Sequence, residues 1–366
     1  MNKKDIYDII IENAIKDWNN SMDIQDKREL WEVPKYSKSE INKAGSIIAD
    51  PSSSKEDRDN ALIILNNWRA AHAYPLHIIC NNLRLRNPDA LVVQRLKRLE
   101  SITGKIERFP DMKLYRMQDL GGCRVIVDTI DQVYEAVNRY KKSRIRHIFK
   151  KEKDYIQEPK ESGYRSYHMV YQFQSDKTET YNKNMLIEIQ FRTKLQHIWA
   201  TALETMSIYT KSQLKSSIGD KDVLRFFVLI SSLFAKMEDM PICPNTDNNR
   251  DCLINEIRDI NNKLNLLSKL DALSVVINKY TDENLKNKGY YLLRLNYTKK
   301  VLNVSRFPTN HIKAVTVAYG KLEELNDPDI DVVLVSATSF DSLKEAYPNY
   351  FTDISQFVDM MRRILE

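Results

Sequence analysis

The chain has 366 residues, long enough for two domains, and its 56 Lys and Arg against 50 Asp and Glu leave a formal net charge of only +6, so attraction to polyanions must come from local clustering. Four cysteines, Cys80, Cys123, Cys243 and Cys252, show no CxxC or other ligand spacing; this argues against a structural zinc or a disulfide scaffold and predicts a reducing, cytoplasmic setting. Charges interrupt the apolar residues of MNKKDIYDIIIENAIKDW, and no later run approaches the ~20 apolar residues of a membrane span, which predicts a soluble protein with no membrane partner.

From Lys3 to about Leu83 apolar residues recur at helical spacing, with DPSSSKEDRDN as a polar loop whose serines can cap the next helix. Residues 1–85 are therefore expected to be a helical region. Between Ala90 and Arg192 the texture changes to short β-type runs, ALVVQRL, CRVIVDTI, YHMVYQF and MLIEIQF, around one clear helix, IDQVYEAVNRYKK. Helical patterns return from Leu195 to Lys236 and break at EDMPICPNTDNNRD, and a further helix is expected around 251–280. The division read from these shifts is 86–250 as a sheet-containing core, 251–283 as a helical linker, and 284–366 as a compact C-terminal domain. That last part holds a hairpin in YYLLRLNYTKKVLNVSRF, a strand in DVVLVSA, and a terminal helix with Ile354, Phe357, Val358, Met361 and Leu365 on one face.

Chemistry-bearing residues fall into five stretches. In VVQRLKRLESITGKIER, a strand aims Arg95 and Lys97 one way and the following helix stacks Ser101, Lys105 and Arg108, a basic wall suited to a polyphosphate and equally a solvated surface. MQDLGGCRVIV sets Asp119 before a Gly pair and a strand carrying Arg124; with only eight glycines in the chain, two adjacent ones point to tight backbone geometry or a close ligand. RYKKSRIRHIFKKEK clusters Lys141, Lys142, Arg144, Arg146, Lys150 and Lys151, which could meet RNA phosphates or simply mark a solvated junction. KDYIQEPKESGYRSYH gathers Lys160, Gly163, Tyr164 and His168, rings beside cations as a nucleotide base and its phosphates require, although strand tyrosines often only pack. In LIEIQFRT, alternation sets Ile187, Ile189 and Phe191 against Glu188, Gln190 and Arg192, either an edge strand with a wet face or, with Asp119, the two carboxylates a Mg²⁺ site takes from protein. No P-loop or dinucleotide-type glycine pattern is present, so a nucleotide site here is of another kind.

RLKRLESITGK, DLGGCR, DYIQEPKESGYRSYH and IEIQFRTKLQHIWATALE follow in the order and spacing of the RelA/SpoT synthetase domain, which the chain resembles over roughly residues 90–205. The resemblance implies an α+β fold, a nucleotidyltransferase-like mixed β-sheet flanked by helices. It implies a pyrophosphokinase that moves the β,γ-pyrophosphate of ATP to a ribose 3′-hydroxyl and releases AMP. No His-Asp doublet occurs, so a hydrolase partner domain is not visible. By position, Arg95, Lys97, Ser101, Lys105 and Arg124 would bind ATP, and Lys160, Tyr164, His168 and Gln190 would line the acceptor side. Asp119 and Glu188 would be catalytic and hold Mg²⁺, with Glu188 drawing the acceptor's proton.

Two acceptors follow from the resemblance: GTP or GDP, giving (p)ppGpp, or the 3′ CCA end of tRNA, as in a toxic subgroup. Small alarmone synthetases usually carry a Glu-His pair after the WA of that helix; here Glu204 is followed by Thr205, a pattern similar to the CapRel-like fused toxin–antitoxin proteins. Those end in a small α/β pseudo-zinc-finger domain with a YxxY motif, which YPNY matches with Tyr347 and Tyr350. The likeness implies an autoinhibitory plug in the adenine slot between Arg95 and Arg124, released by a phage capsid protein. Ser342 and Glu345 are read as a capping box before it, with Pro348 ending the helix; the two rings are otherwise read as core filling. A monomer is preferred, and a third reading is a non-catalytic RNA- or ribosome-binding sensor.

Overall fold

The computed structural model describes residues 6–21, 30–109, 111–210, 214, 218–272, 279–280, 288–296, 298–299, 301–325, 327, 329–347 and 354–366. The helical N-terminal stretch resolves into α1 (Ile6–Ser21), α2 (Lys38–Ala49), α3 (Lys55–Ala71) and α4 (Ala73–Arg86). Ser37 and Glu40 close a capping box on α2. Ser54 accepts from the Asp57 amide and starts α3, so the polar loop is shorter than the sequence suggests and its charged half is already helix.

Next come β1 (Leu91–Leu96), α5 (Leu99–Arg108), β2 (Gly121–Val127), α6 (Ile130–Lys141), β3 (Ile148–Asp154), β4 (Tyr167–Gln172) and β5 (Leu186–Thr193). Four helices follow, α7 (Lys194–Tyr209), α8 (Lys221–Met237), α9 (Arg250–Leu264) and α10 (Leu266–Ala272). The chain closes with β6 (Lys279–Tyr280), β7 (Gly289–Asn296), β8 (Val301–Phe307), α11 (Ile312–Glu324), β9 (Ile330–Ala337), α12 (Phe340–Ala346) and α13 (Ser355–Leu365). Among the described residues no helix is long and apolar enough to cross a membrane.

All nine strands join one mixed sheet in the order β3-β4-β5-β2-β1-β9-β7-β8-β6. The β2–β5 and β6–β8 pairs are parallel and the others antiparallel. This fits the expected α+β class and decides between the two readings of LIEIQFRT. LIEIQFRT is not an edge strand: β5 lies between β4 and β2, so its polar face looks into the molecule. One edge is β3, which the sequence hides because charged residues fill it after Phe149, and six of its seven residues are exposed. Within the segment from 284 onward, β9 pairs with β1 through Gln94↔Ser336 and Arg95↔Val335.

Alternation then assigns the two sheet faces. Val92, Leu96, Cys123, Val125, Ile187, Ile189 and Phe191 point to the main core beneath the N-terminal helices, which also takes in Ile312, Val315 and Tyr319 of α11. On the other face Val93, Val333, Val335 and Ala337 pack under Leu343 and Ala346 of α12. A third cluster joins α7–α10 to Phe357, Val358 and Met361 of α13, so the described part of the expected helical linker, residues 251–272, is helix and is packed.

Candidate active site

Strand register builds the floor of a cavity on the α12 face of the sheet. One row runs Arg95, Gly122, Glu188, and the next runs Arg124, Gln190, His168. The glycine pair divides its duties. A Cβ on Gly121 would lie 2.8 Å from Ile187 Cδ1, so that position needs close packing, whereas a Cβ on Gly122 would meet nothing nearer than 4.0 Å. Gly122 thus leaves open space between Arg95 and Glu188, inside a cavity of about 350 Å³ with its mouth included. Its lining is Arg95, Lys97, Asp119, Gly122, Cys123, Arg124, Glu188, Gln190 and Tyr347.

Two carboxylates line the cavity, each with different partners. Asp119 accepts from Lys97 Nζ on one oxygen and from Lys105 Nζ, reaching down from α5, on the other, both at 2.9 Å. Burial pushes the Asp119 carboxyl up, but the two lysine charges outweigh it and hold the group well below its ordinary range. Glu188 accepts from Gln190 Nε2 at 2.7 Å and lies 3.1 Å from His168 Nδ1. Burial raises this carboxyl too, and the contacts with His168 and Gln190 overcome it, so Glu188 is ionised. His168 Nε2 lies 2.9 Å from the Tyr164 hydroxyl, and Lys160 Nζ sits over the Tyr155 and Tyr164 rings at 4.4 and 5.2 Å.

Of the residues singled out in the sequence, Arg95, Lys97, Asp119, Arg124, Glu188, Gln190 and Tyr347 converge on the cavity. Lys105 and His168 border it by bonding the two carboxylates, and Tyr164 and Lys160 form the next ring outward. Ser101 is half-buried on α5, one turn from Lys105. The basic run is not part of the cavity lining: it goes from the end of α6 into the edge strand β3, and it is less positive than its sequence, because Lys141 pairs with Glu152 and Arg146 with Asp176. Lys142, Arg144, Lys150 and Lys151 are exposed. Asp119 and Glu188 are the hard oxygen donors that a phosphate-bound Mg²⁺ takes from protein, and both open onto one cavity, so the donor set fits that ion. Among the described residues no group of three or more His, Cys, Asp or Glu is arranged to hold a metal.

Tyr347 fills the end of the cavity. It is 2% exposed, its hydroxyl donates to the Gln94 carbonyl at 3.2 Å, and the Arg124 guanidinium carbon lies 5.7 Å from its ring centroid. Burial pushes its phenol up to about 12, so a neutral ring faces the cations. The residue before a proline is driven out of helical geometry, which is why α12 stops at Ala346 and Tyr347 turns inward at φ −131°, ψ 50°. The capping box on α12 corrects the sequence reading: it is Ser339 with Ser342, three residues earlier than Ser342 with Glu345. Tyr350 and Pro348 lie outside the described residues.

Sequence reasoning missed His197. The Arg192 guanidinium bonds its Nδ1, and its Nε2 lies 3.0 Å from the Glu345 carbonyl, so β5 reaches α12 through one imidazole. Burial and the charges of Arg192 and Arg124 hold His197 well below its ordinary range, so the ring is neutral and Nε2 donates to Glu345. Only the spacing of Arg192 and His197 across a strand-to-helix junction hints at this.

The Lys160–Tyr164 turn is anchored from behind. Gly163 takes φ +84° and a Cβ there would lie 3.0 Å from both Trp199 and Ser231, whose hydroxyl donates to the Gly163 carbonyl at 2.6 Å. Gly163→Ala is therefore expected to cost about 2–3 kcal/mol, strained backbone plus overpacking, read as a fall in the thermal unfolding midpoint.

Residues 94–214 match the family described as a region found in RelA and SpoT proteins. The chain is similar to the GTP pyrophosphokinase YwaC of Bacillus subtilis (strain 168), 32% identical over 155 residues, 40% of this chain and 72% of that protein. It is 36% identical over 117 residues to the GTP pyrophosphokinase YjbM of the same strain, 31% of this chain, and spans about half (54%) of YjbM's length. A solved structure of the small alarmone synthetase 1 from Bacillus subtilis bound to its product pppGpp is 25% identical, with a TM-score of 0.38, over 45% of this chain and 90% of that one.

Proposed function

Because the chain belongs to the RelA/SpoT family, we propose that it is an ATP-dependent pyrophosphokinase that moves the β,γ-pyrophosphate of ATP to the 3′-hydroxyl of a tRNA CCA end and is held inactive by its own C-terminal region. The observation that carries the reaction type is the pairing of unlike carboxylates across Gly122, Asp119 under two lysines and Glu188 under a histidine and an amide. Arg95, Lys97, Lys105 and Arg124 supply cations for the triphosphate and adenine, with Ser101 beside them. Asp119 and Glu188 would hold Mg²⁺, which when bound offsets charge on the transferred group. Glu188 aligns the acceptor hydroxyl and draws its proton, while Tyr164 stacks the terminal base and Lys160, His168 and Gln190 fix the ribose side.

Three features support tRNA as acceptor. Thr205 stands where small alarmone synthetases usually carry histidine and spends its hydroxyl on the Thr201 carbonyl. Exposed Lys142 and Arg144, ahead of β3, and Lys150 and Lys151, on it, offer phosphate contacts. Tyr347, buried against Arg124, supports an ATP site closed at rest, as a translation toxin with a phage capsid protein for its trigger would require. The second reading, GTP or GDP as acceptor, is favoured by the names of YwaC and YjbM.

The test is transfer of label from [γ-³²P]ATP to bulk tRNA or to GDP plus GTP, by the full chain and by its Tyr347→Ala variant. The expected result is label on tRNA, mainly in the variant. Label on guanosine nucleotides from both chains, with tRNA unlabelled, would replace the toxin reading by an alarmone synthetase.

A further inference from the structure

We propose that Glu323 of α11, outside the family-matched stretch, is a positioning residue of the ATP site, its carboxylate capping α5 and holding that helix against the cavity. The proposal rests on reading α5 as the phosphate-facing helix and adds a requirement to it: the catalytic half is incomplete without part of the C-terminal region.

A helix leaves its first amide groups without internal partners, and the residue before it normally covers one of them with a side-chain oxygen. Arg98, in that position before α5, makes no such bond. The missing acceptor arrives from more than two hundred residues away: the Leu99 amide donates to Glu323 Oε1 at 3.0 Å. A carboxylate at this end also meets the positive pole of the helix.

The other Glu323 oxygen takes Nη1 of Arg69 on α3. Arg69 donates in turn to the Lys97 carbonyl at 3.2 Å and to Asn66 Oδ1 at 2.9 Å. Arg98 pairs with Asp331 of β9. Three consecutive residues are thereby fixed, Lys97 through its carbonyl, Arg98 through its side chain and Leu99 through its amide. They form the joint between β1, which carries Arg95, and α5, which carries Lys105 to Asp119. A shift of this joint moves both lysines on Asp119 together.

The clamp also divides the C-terminal region by role. Arg69 and Glu323 are nearly buried, at 2% and 9% side-chain exposure, and pulling α11 away would leave an unpaired guanidinium in the core. α11 and β9 therefore stay docked and complete the site, and opening is confined to the segment around α12 and Tyr347.

The test uses the full chain with Tyr347→Ala and Arg69→Met as parent, so that changes at 323 strand no buried cation. Adding Glu323→Ala is expected to speed hydrogen exchange in the peptide covering residues 99–102 by about five- to tenfold, the worth of a cap. It should raise KM for ATP by a similar factor, with the acceptor KM unchanged. Glu323→Gln, whose carboxamide oxygen still accepts from Leu99, is expected to restore both. Equal exchange and equal ATP KM in the Ala and Gln chains would overturn the proposal. If the Tyr347→Ala chain with Arg69 intact transfers pyrophosphate to no acceptor, the pyrophosphokinase reading fails instead, and the exchange comparison decides on Glu323 alone.

Discussion

Glu188→Gln is expected to abolish pyrophosphate transfer, by at least ~10³-fold, in a chain that remains folded. The side chain sits on an interior strand with 17% of its surface exposed, bonded to Gln190 and beside His168, so an amide of the same shape fits the space. What it cannot do is accept a proton from an attacking hydroxyl, or carry the charge that orients His168. The melting midpoint should move by less than ~3 °C, because no core contact is lost and repulsion from Asp119 is relieved. On the proposed reading Tyr347 keeps the resting chain closed, so the comparison is made with Tyr347→Ala present in both chains. Transfer within a few-fold of that parent would remove Glu188 from the chemistry.

Tyr347→Ala should convert a silent enzyme into an active one. The ring is among the largest fully buried side chains, packed over Val93 and against Arg124, with its hydroxyl on the Gln94 carbonyl. Truncating a buried aromatic costs about 3 kcal/mol or more. Here that cost falls on the docked position of α12 and not on the strands beneath, which keep their ladders. A bias of ~3 kcal/mol changes the ratio of closed to open chains by more than ~100-fold, enough to turn a rare open state into a common one. Growth arrest on expression and a tenfold or greater gain in ATP turnover are expected. Tyr347→Phe keeps the ring and loses one hydrogen bond, about 1 kcal/mol, so it should stay largely closed. If Tyr347→Ala only lowers solubility, with no gain in turnover per folded molecule, the ring is packing and nothing more.

Much of the site was legible because its residues lie on strands with clear alternation. LIEIQFRT separates Glu188, Gln190 and Arg192 from Ile187, Ile189 and Phe191 by the period of two alone. That Asp119 and Glu188 would face one space was not derivable from spacing, since it needs the parallel register Gly122↔Glu188 between strands more than sixty residues apart. The edge position of β3 was invisible for the opposite reason, as its charged residues are solvated and leave no apolar period. Nor was the docking of the C-terminal region legible, which includes two rungs between β1 and β9 and the buried Arg69–Glu323 pair. A valine-rich strand looks the same whether it founds its own sheet or extends another. α12 was placed but misphased by three residues, because Ser339 and Ser342 are both competent caps and only the fold selects between them.

The contact between Leu99 and Glu323 has a bearing on the ribosome, where the chain is made from its N-terminus. Everything through α7 emerges roughly 140 residues before Tyr347, an interval of ~10 s or more at ordinary elongation rates. A synthetase finished at that moment would be uncovered in the cell that makes it, once per molecule. With the acceptor for the Leu99 amide on α11, the helix bearing Lys105 has no cap until Glu323 arrives, and only two dozen residues then separate it from Tyr347. The order of the chain thus brings out the proposed positioning residue and the proposed restraint almost together, which would shorten the unguarded interval about sixfold.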